Sequence, residues 1–208
     1  MKLTDFVHEN FVSGRRVRVL CAHLADLIPK NSYVLDIGCG DGLIAWLLMQ
    51  KRPDLSIKGI DVLVRPVTRI PIEAFDGQCI PHEDNSFDAV MLIDVLHHAE
   101  NPLGLLDEAL RVSRHAVIIK DHTLKGFLAG PTLRFMDRVG NLRHGVSLRY
   151  DYWPRERWVN VFASKGLQVT SWNQRLGLYP WPAKWVFERS LHFLARIEVK
   201  SNERYIEG

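Results

Sequence analysis

The chain has 208 residues, 47% of them hydrophobic, with a net charge of +3 and three cysteines. This length and composition predict one domain with a single sizeable core. The basic residues are scattered among the acidic ones, so no nucleic-acid partner is expected. The cysteines lie far apart, which indicates neither a zinc site nor a disulfide framework. With no signal peptide and no membrane-length apolar run, the sequence predicts a cytoplasmic protein.

An amphipathic helix opens the predicted fold. Val17, Leu20, Leu24 and Ile28 recur at helical spacing, and a proline follows directly. This pattern predicts a helix over residues 15–28. Its apolar stripe would cover the sheet or the mouth of a binding site.

A glycine-rich loop follows the first predicted strand. The apolar run 33–35 ends in Asp36, and Gly38, Gly40 and Gly42 then precede a helical pattern. Glycine permits positive φ and close approach of a ligand to the main chain, while the free amides of the next helix face the same gap. The stretch therefore predicts a strand, a tight loop and a helix that together hold a small molecule against backbone.

Three classes of nucleotide-like ligand use loops of this kind. A phosphate-binding P-loop needs Lys followed by Ser or Thr, and this chain has Leu43-Ile44 instead. The dinucleotide fingerprint prefers Gly or Ala where Leu43 stands, so it fits poorly. The carboxylate of Asp36, placed just before the loop, suits a ligand that carries an ammonium group.

Residues 34–42, Val-Leu-Asp-Ile-Gly-Cys-Gly-Asp-Gly, resemble the first motif of the class I S-adenosylmethionine-dependent methyltransferases. The resemblance covers roughly residues 15–120. It implies S-adenosyl-L-methionine as cofactor, with Asp36, Gly38 and Gly40 among the residues that bind it.

The second predicted strand, residues 56–61, also ends in an acid. Asp61 lies about 20 residues beyond the glycine loop, where doubly wound nucleotide-binding folds place a carboxylate that accepts hydrogen bonds from ribose hydroxyls. Pro66 and Pro71 follow it. These prolines predict an irregular connection where a helix usually stands.

The loop over residues 76–81 comes after a short predicted strand at 72–75. It resembles the Gly-Asp-Ala-x-x-Leu-Pro segment of the same methyltransferase family. By that resemblance, Asp76, Gly77 and Gln78 are expected to bind the adenine edge of the cofactor.

The fourth predicted strand is an almost unbroken apolar run that ends at Asp94. Such runs are typical of the buried middle of a parallel sheet. Ligands in open α/β sheets bind at the carboxyl ends of the strands. We therefore expect Asp36, Asp61, Asp76 and Asp94 to converge on one crevice.

The alternation of helix and strand changes after residue 120. A helix over 102–113 and a strand over 115–120 precede the change. Residues 124–152 then form a candidate lid, with a helix near 131–139. Beyond the lid, the sequence predicts a helix over 154–163 and closing strands over 167–172 and 191–197.

Together these elements predict an α/β fold with a doubly wound, mostly parallel, seven-stranded sheet of the Rossmann-like type. Helices would cover both faces, and the lid would be inserted after the fifth strand. One methyltransferase domain would span residues 1–208. Its parts would be an N-terminal helical cover over 1–30, a cofactor-binding core over 31–123, the lid over 124–152, and a closing helix and strands over 153–200.

Methyl transfer from a sulfonium can proceed largely by positioning and exclusion of water. A general base is needed only where the acceptor must lose a proton. His122 and His98 are the candidate catalytic residues, and His144, Tyr150 and Tyr152 are candidate substrate contacts. Aromatic side chains after residue 120 favour an apolar, aromatic or lipid-like acceptor.

The sequence therefore predicts an S-adenosylmethionine-dependent methyltransferase acting on a small organic molecule, with no metal ion and no nucleic-acid partner. Two alternatives stay open. One is a non-catalytic protein of the same fold that binds the cofactor or a partner. The other is an NAD(P)-dependent oxidoreductase, against which Leu43 and Asp36 argue.

Overall fold

A computed structural model of the chain describes residues 14–141 and 149–199. The strands of this part of the chain form one seven-stranded sheet. They are β1 (Tyr33–Ile37), β2 (Ser56–Asp61), β3 (Ile72–Ala74), β4 (Phe87–Ile93), β5 (Ser113–His122), β6 (Gln168–Asn173) and β7 (His192–Glu198). The helices are α1 (Gly14–Leu27), α2 (Leu43–Lys51), α3 (Pro102–Val112), α4 (Ala129–Asn141), α5 (Arg155–Ser164) and α6 (Lys184–Phe187).

The strand order is β3-β2-β1-β4-β5-β7-β6. Strands β1 to β5 pair in parallel, whereas β7 runs antiparallel to both β5 and β6. The chain winds outward from β1 in one direction to β3 and in the other through β4. This arrangement confirms the predicted doubly wound, mostly parallel sheet and creates a crevice beyond the carboxyl ends of β1 and β4.

Alternate residues of each central strand enter different halves of the core. On β5, Val117 and Ile119 pack in the layer that contains α3 and α5, whereas Ala116 and Ile118 pack in the layer that contains α1 and α2. Side chains of a strand point to opposite faces, so apolar residues at every position require a helical layer on each side. The predicted cover of helices on both faces is confirmed.

Local sequence signals explain several element boundaries. Helix α3 begins at Pro102, and the side chain of Asn101 accepts a hydrogen bond of 3.0 Å from the amide of Gly104. Proline in the first turn and asparagine at the cap are favourable at a helix start. Between β2 and β3, residues 62–71 form bends instead of a helix, as the two prolines there predict.

Strand β5 continues to His122 instead of ending near residue 120. Its last residues pair with β7, and His122 lies opposite His192. The extension places His122 on a rigid strand at the edge of the crevice. None of the helices in the two described ranges is both long enough and apolar enough to cross a membrane.

Candidate active site

A cavity of about 920 Å³ opens at the carboxyl ends of the parallel strands. One part, which we call the loop end, is formed by Gly38, Gly40, Asp61 and Asp76. The other, which we call the histidine end, is formed by Asp94, His98, His122 and Asp137. The structure therefore brings most of the sequence-predicted site residues, Gly77 included, to a single cavity.

The glycine loop presents bare backbone to the loop end of the cavity. Gly38 and Gly40 have φ angles of 67° and 64°. A Cβ at Gly38 would lie 2.6 Å from Cγ2 of Val95, so a side chain there would force Val95 to move. The loop is tied to β2, since the amide of Gly38 donates a 2.8 Å hydrogen bond to the carbonyl of Ile60.

Asp61 is fixed at the end of β2 by two backbone amides. Its Oδ2 accepts a 2.8 Å hydrogen bond from Gly40, and its Oδ1 accepts a 2.9 Å hydrogen bond from Leu63. Each carboxylate oxygen can accept more than one hydrogen bond. The carboxylate is therefore held rigidly in the cavity wall and still has acceptor capacity.

Asp76 is oriented in the same way by its own loop. Its Oδ1 accepts hydrogen bonds of 2.7 Å from the amides of Gln78 and of Cys79. These bonds favour the ionised form and lower the pKa of Asp76. Asp76 and Gly77 thus close the far side of the loop end.

Asp36 does not reach the cavity wall, which corrects the expectation that four acids converge on one crevice. Its side chain is 2% exposed. The reason is its place on β1, which lies between β2 and β4 behind the glycine loop. Burial, together with the nearby charge of Asp61, raises the pKa of Asp36 to about 7.

Asp94 anchors a group of charges at the histidine end, in which Lys120 is buried and Asp94 and Arg16 are partly buried. Its Oδ1 accepts a hydrogen bond from Nζ of Lys120, and its Oδ2 lies 2.6 Å from Nη2 of Arg16. Burial alone would raise the pKa of Asp94, but these two cations hold it well below its usual range. The sequence analysis missed both partners, although a lysine in the apolar run of β5 was a usable signal.

A second ion-pair group links β5 to α4 through His97. Nδ1 of His97 lies 2.6 Å from Oδ1 of Asp121, and Nε2 lies 3.2 Å from Oδ2 of Asp137. Burial would lower the pKa of this histidine, but the two carboxylates outweigh burial and raise its pKa to about 10. Asp137 on α4 was also missed, because no local pattern relates it to residues 40 positions earlier.

His98 and His122, the two candidate catalytic residues, both line the cavity. Burial and the neighbouring charge of His97 lower the pKa of His98 to about 4. Its Nδ1 is buried and has no hydrogen-bond partner within the described part of the chain. Burial and then Lys120 lower the pKa of His122, whose Nδ1 lies 3.1 Å from Nδ1 of His192.

The two tyrosines predicted as substrate contacts do not line the cavity. Tyr152 is buried, and its hydroxyl donates a hydrogen bond to Asp137. Tyr150 packs against the ring of Tyr152, and neither tyrosine belongs to the cavity lining. Both support α4 from behind instead of facing the cavity. His144 lies outside the described residues.

His97, His98 and Asp137 also bring atoms of the kinds that bind metals within 4.8 Å of one another. In this structure the carboxylate of Asp137 already receives Tyr152, and it faces His97 and His122. The carboxylate of Asp137 is thus engaged by these neighbours and forms an ion pair with His97.

Comparison with known proteins matches this architecture to one family. Residues 8–179 match the family model described as a methyltransferase domain. The chain belongs to this family. Membership confirms the predicted class I methyltransferase fold. It also confirms S-adenosylmethionine as the cofactor. It gives no support to the oxidoreductase alternative.

Curated relatives agree with this membership. The chain is 30% identical over 110 residues to the 27-O-demethylrifamycin SV methyltransferase of Amycolatopsis mediterranei, covering 46% of this chain and 40% of the relative. It is 33% identical over 91 residues to the tRNA (carboxymethyluridine(34)-5-O)-methyltransferase of Schizosaccharomyces pombe, covering 40% of this chain and 38% of that protein. The methyltransferase domain described here thus aligns with less than half of either relative.

A solved complex between the Haloferax volcanii Trm112 methyltransferase activator and a methyltransferase gives a TM-score of 0.65 at 14% identity. The match covers 94% of this chain and 96% of the solved one. At this level of identity the likeness concerns the fold alone.

Proposed function

We propose that the protein transfers the methyl group of S-adenosylmethionine to a small organic acceptor bound at the histidine end of the cavity. The observation that carries this proposal is the continuity of one cavity of about 920 Å³ from the glycine loop to His98 and His122. A volume of this order matches the usual size of small-molecule sites. It leaves room for an acceptor beside the cofactor.

The loop end fits the cofactor by its chemistry. Gly38 and Gly40 offer a backbone surface that a Cβ would fill, and Asp61 offers a fixed acceptor for ribose hydroxyls. Asp76 and Gly77 are suited to the adenine edge. Asp94, held ionised among cations, would face the charged end of the cofactor. Asp36, which lies behind the loop, would affect the cofactor only through the loop.

The cofactor supplies an activated methyl group on a sulfonium, so the chain must hold the acceptor in line with it and exclude water. Helix α4 carries Phe135, Met136 and Asp137 into the cavity wall. In our proposal this helix is the lid predicted over residues 124–152. Its ion pair with His97 and its contact with His122 would keep it over the acceptor.

His98 is the residue that we propose contacts the acceptor directly. Because its pKa is lowered to about 4, the imidazole is neutral at neutral pH, and in the tautomer that carries its proton on Nε2 the Nδ1 atom can accept a hydrogen bond. An acceptor with a hydroxyl, phenol or amine N–H would satisfy this buried nitrogen. His122 would supply a second polar contact on the same wall.

The cofactor half of the proposal is tested by calorimetric titration with S-adenosylmethionine. Asp61→Asn should weaken binding about tenfold or more, because a buried hydrogen bond to a charged group is lost. Asp107→Asn, which changes an acid on α3 with a side chain 57% exposed, is the matched control and should bind normally. Equal affinities for both variants would contradict the role of Asp61.

The acceptor half is tested by incubating the protein with methyl-labelled S-adenosylmethionine and three acceptor pools. The pools are aqueous small molecules, a lipid extract and total tRNA. Label in either of the first two supports the proposal, and label in tRNA alone overturns it. Tight cofactor binding without transfer to any pool would favour the non-catalytic alternative.

Once an acceptor is known, His98→Ala should raise its KM with little change in cofactor affinity. The control is His115→Ala, whose ring is 61% exposed on the surface. A His98→Ala variant with an unchanged KM would show that this nitrogen does not touch the acceptor.

A further inference from the structure

The rim of the histidine end carries the most exposed aromatic side chains of the described chain. Phe127 is 84% exposed, Trp181 is 71% exposed and Trp185 is 70% exposed. Leu128 and Val186, next to them in sequence, are also exposed. Exposed apolar groups scattered singly are ordinary on protein surfaces, but a contiguous group indicates an interaction site.

These side chains belong to two segments, residues 124–140 and 180–189, which lie side by side. Arg189 on the second segment donates hydrogen bonds of 3.2 Å to the carbonyl of Phe127 and to Oγ1 of Thr132 on the first. The rings of Phe135 and Phe187 stack with centroids 6.3 Å apart. We call this joined surface the aromatic rim.

The exposed charges of the aromatic rim are all basic. Its acids turn inward, since Asp137 is 7% exposed and Glu188 accepts a 3.0 Å hydrogen bond from the amide of Leu178. The exposed cations of the two segments are Lys125, Arg134, Arg138, Lys184 and Arg189. A surface that combines exposed tryptophans with one sign of charge offers both contacts that an anionic lipid headgroup region provides.

We propose that the aromatic rim docks the protein on the surface of a membrane that contains anionic lipids. Trp181, Trp185 and Phe127 enter the headgroup region, and the surrounding cations lie against lipid phosphates. No helix needs to cross the bilayer for this mode of binding. The docked side borders the histidine end of the cavity, because Phe135 and Phe187 line the cavity as well.

RNA is the competing partner, since basic and aromatic side chains also bind single-stranded nucleic acid. The rim exposes aliphatic side chains, among them Leu128, Val139 and Val186. These cannot stack on bases, but they gain free energy by leaving water for a lipid interface. The composition of the rim therefore favours the membrane surface.

The test is flotation of the full chain with vesicles. Wild type should bind vesicles of phosphatidylcholine mixed with phosphatidylglycerol, bind phosphatidylcholine alone more weakly, and lose affinity as salt is raised. Lys184→Glu combined with Arg134→Glu should lower the partition coefficient at least tenfold, since each cation near the surface is worth about fivefold. Binding that is equal on both vesicle types would contradict the electrostatic part of the proposal.

A matched control changes two exposed lysines outside the two rim segments, Lys30→Glu ahead of β1 with Lys51→Glu at the end of α2. This variant has the same net charge as the rim variant. An equal loss of binding would show that the effect depends only on overall charge, and it would overturn the proposal. Circular dichroism checks that both variants are folded.

A second readout locates the contact. Bromine-labelled lipids should quench the tryptophan fluorescence of wild type, and the quenching should disappear in Trp181→Phe combined with Trp185→Phe, which keeps the surface apolar. Persistent quenching in that variant would place the contact elsewhere. Binding of tRNA without binding of anionic vesicles, or a dimer that buries the rim in solution, would also overturn the proposal.

Discussion

Two carboxyl groups near the cavity, Asp36 behind the glycine loop and Asp94 at the histidine end, have pKa values shifted in opposite directions. At the loop end, Asp36 lies buried with Asp61 as its charged neighbour, and its pKa rises to about 7. At the histidine end, Asp94 lies between Arg16 and Lys120, and its pKa falls well below its usual range. The same sheet topology delivers both acids. What differs is whether distant parts of the chain supply counter-charges.

This difference separates two ways of building a binding site. The loop end uses backbone amides, positive-φ glycines and one short segment after each strand, so each of its parts can be recognised from its own local sequence. The histidine end uses pairs such as Arg16 with Asp94 and His97 with Asp137, which are brought together only by packing. In our proposal, the first binds the cofactor and the second binds the acceptor.

The largest expected effect is at the histidine end. Asp94→Asn leaves Lys120, which is 0% exposed, without its anionic partner. Breaking a buried ion pair in this way costs about 3–5 kcal/mol, which urea unfolding measures. Adding Lys120→Met should recover much of the loss, because both charges of the pair are then gone.

The control for this prediction is Glu73→Gln, which removes a 2.6 Å surface ion pair with Lys58. An exposed pair of this kind contributes ~1 kcal/mol or less. If the two variants lost the same small amount, the charge group around Asp94 would not be the stabilising network described here.

The next effect concerns Asp36, the buried acid behind the glycine loop. A carboxyl whose folded pKa is raised binds its proton more tightly in the folded state, so it lowers stability progressively as the pH rises from about 4 to 7. Asp36→Asn removes that cost. The variant should therefore be more stable than wild type, and the difference in the free energy of unfolding should grow by about 2–3 kcal/mol from pH 5 to pH 8.

Urea unfolding at several pH values measures this gain in the absence of cofactor. Asp26→Asn, on the exposed side of α1, serves as control and should leave the difference between pH 5 and pH 8 unchanged. If the stability difference between wild type and Asp36→Asn did not change with pH, a partner in the folded protein would be stabilising the charge of Asp36. The pKa values of Asp36 and Asp94 would then not be shifted in opposite directions.

The smallest of the three effects concerns the glycine loop. Gly38→Ala places a Cβ 2.6 Å from Val95 at a φ of 67°, and left-handed backbone alone costs a side chain about 1–2 kcal/mol. We expect S-adenosylmethionine affinity to fall about tenfold to hundredfold, or ~1.4–2.7 kcal/mol. Calorimetry measures the change.

Gly166→Ala is the matched control, since Gly166 has a φ of 64° and no atom of the described residues lies within 4 Å of its Cβ position. It should lose stability through backbone strain and keep normal cofactor affinity. Normal affinity in Gly38→Ala as well would show that the loop does not need bare backbone against the ligand.

The local pattern of the chain predicted most of the sheet, because strand, turn and helix signals act over a few residues. The glycine loop, Asp61, Asp76 and Asp94 were found in this way, since the carboxyl ends of parallel strands always meet at one edge. The burial of Asp36 was missed, because a strand pattern does not say which terminal side chain the following loop will cover. Tyr152 was also misplaced, because the sequence does not show that its side chain packs against α4 instead of facing the cavity.

The sequence by itself determined the family, the order of elements and the acids of the loop end, since these depend on short-range geometry. Only the tertiary structure decided which charges balance one another, because Arg16, Lys120 and Asp137 meet through contacts between distant elements. It also decided that residues near 127 and near 185 share one surface. The free energy of a buried charge depends on everything within a few ångströms, and that neighbourhood exists only after folding.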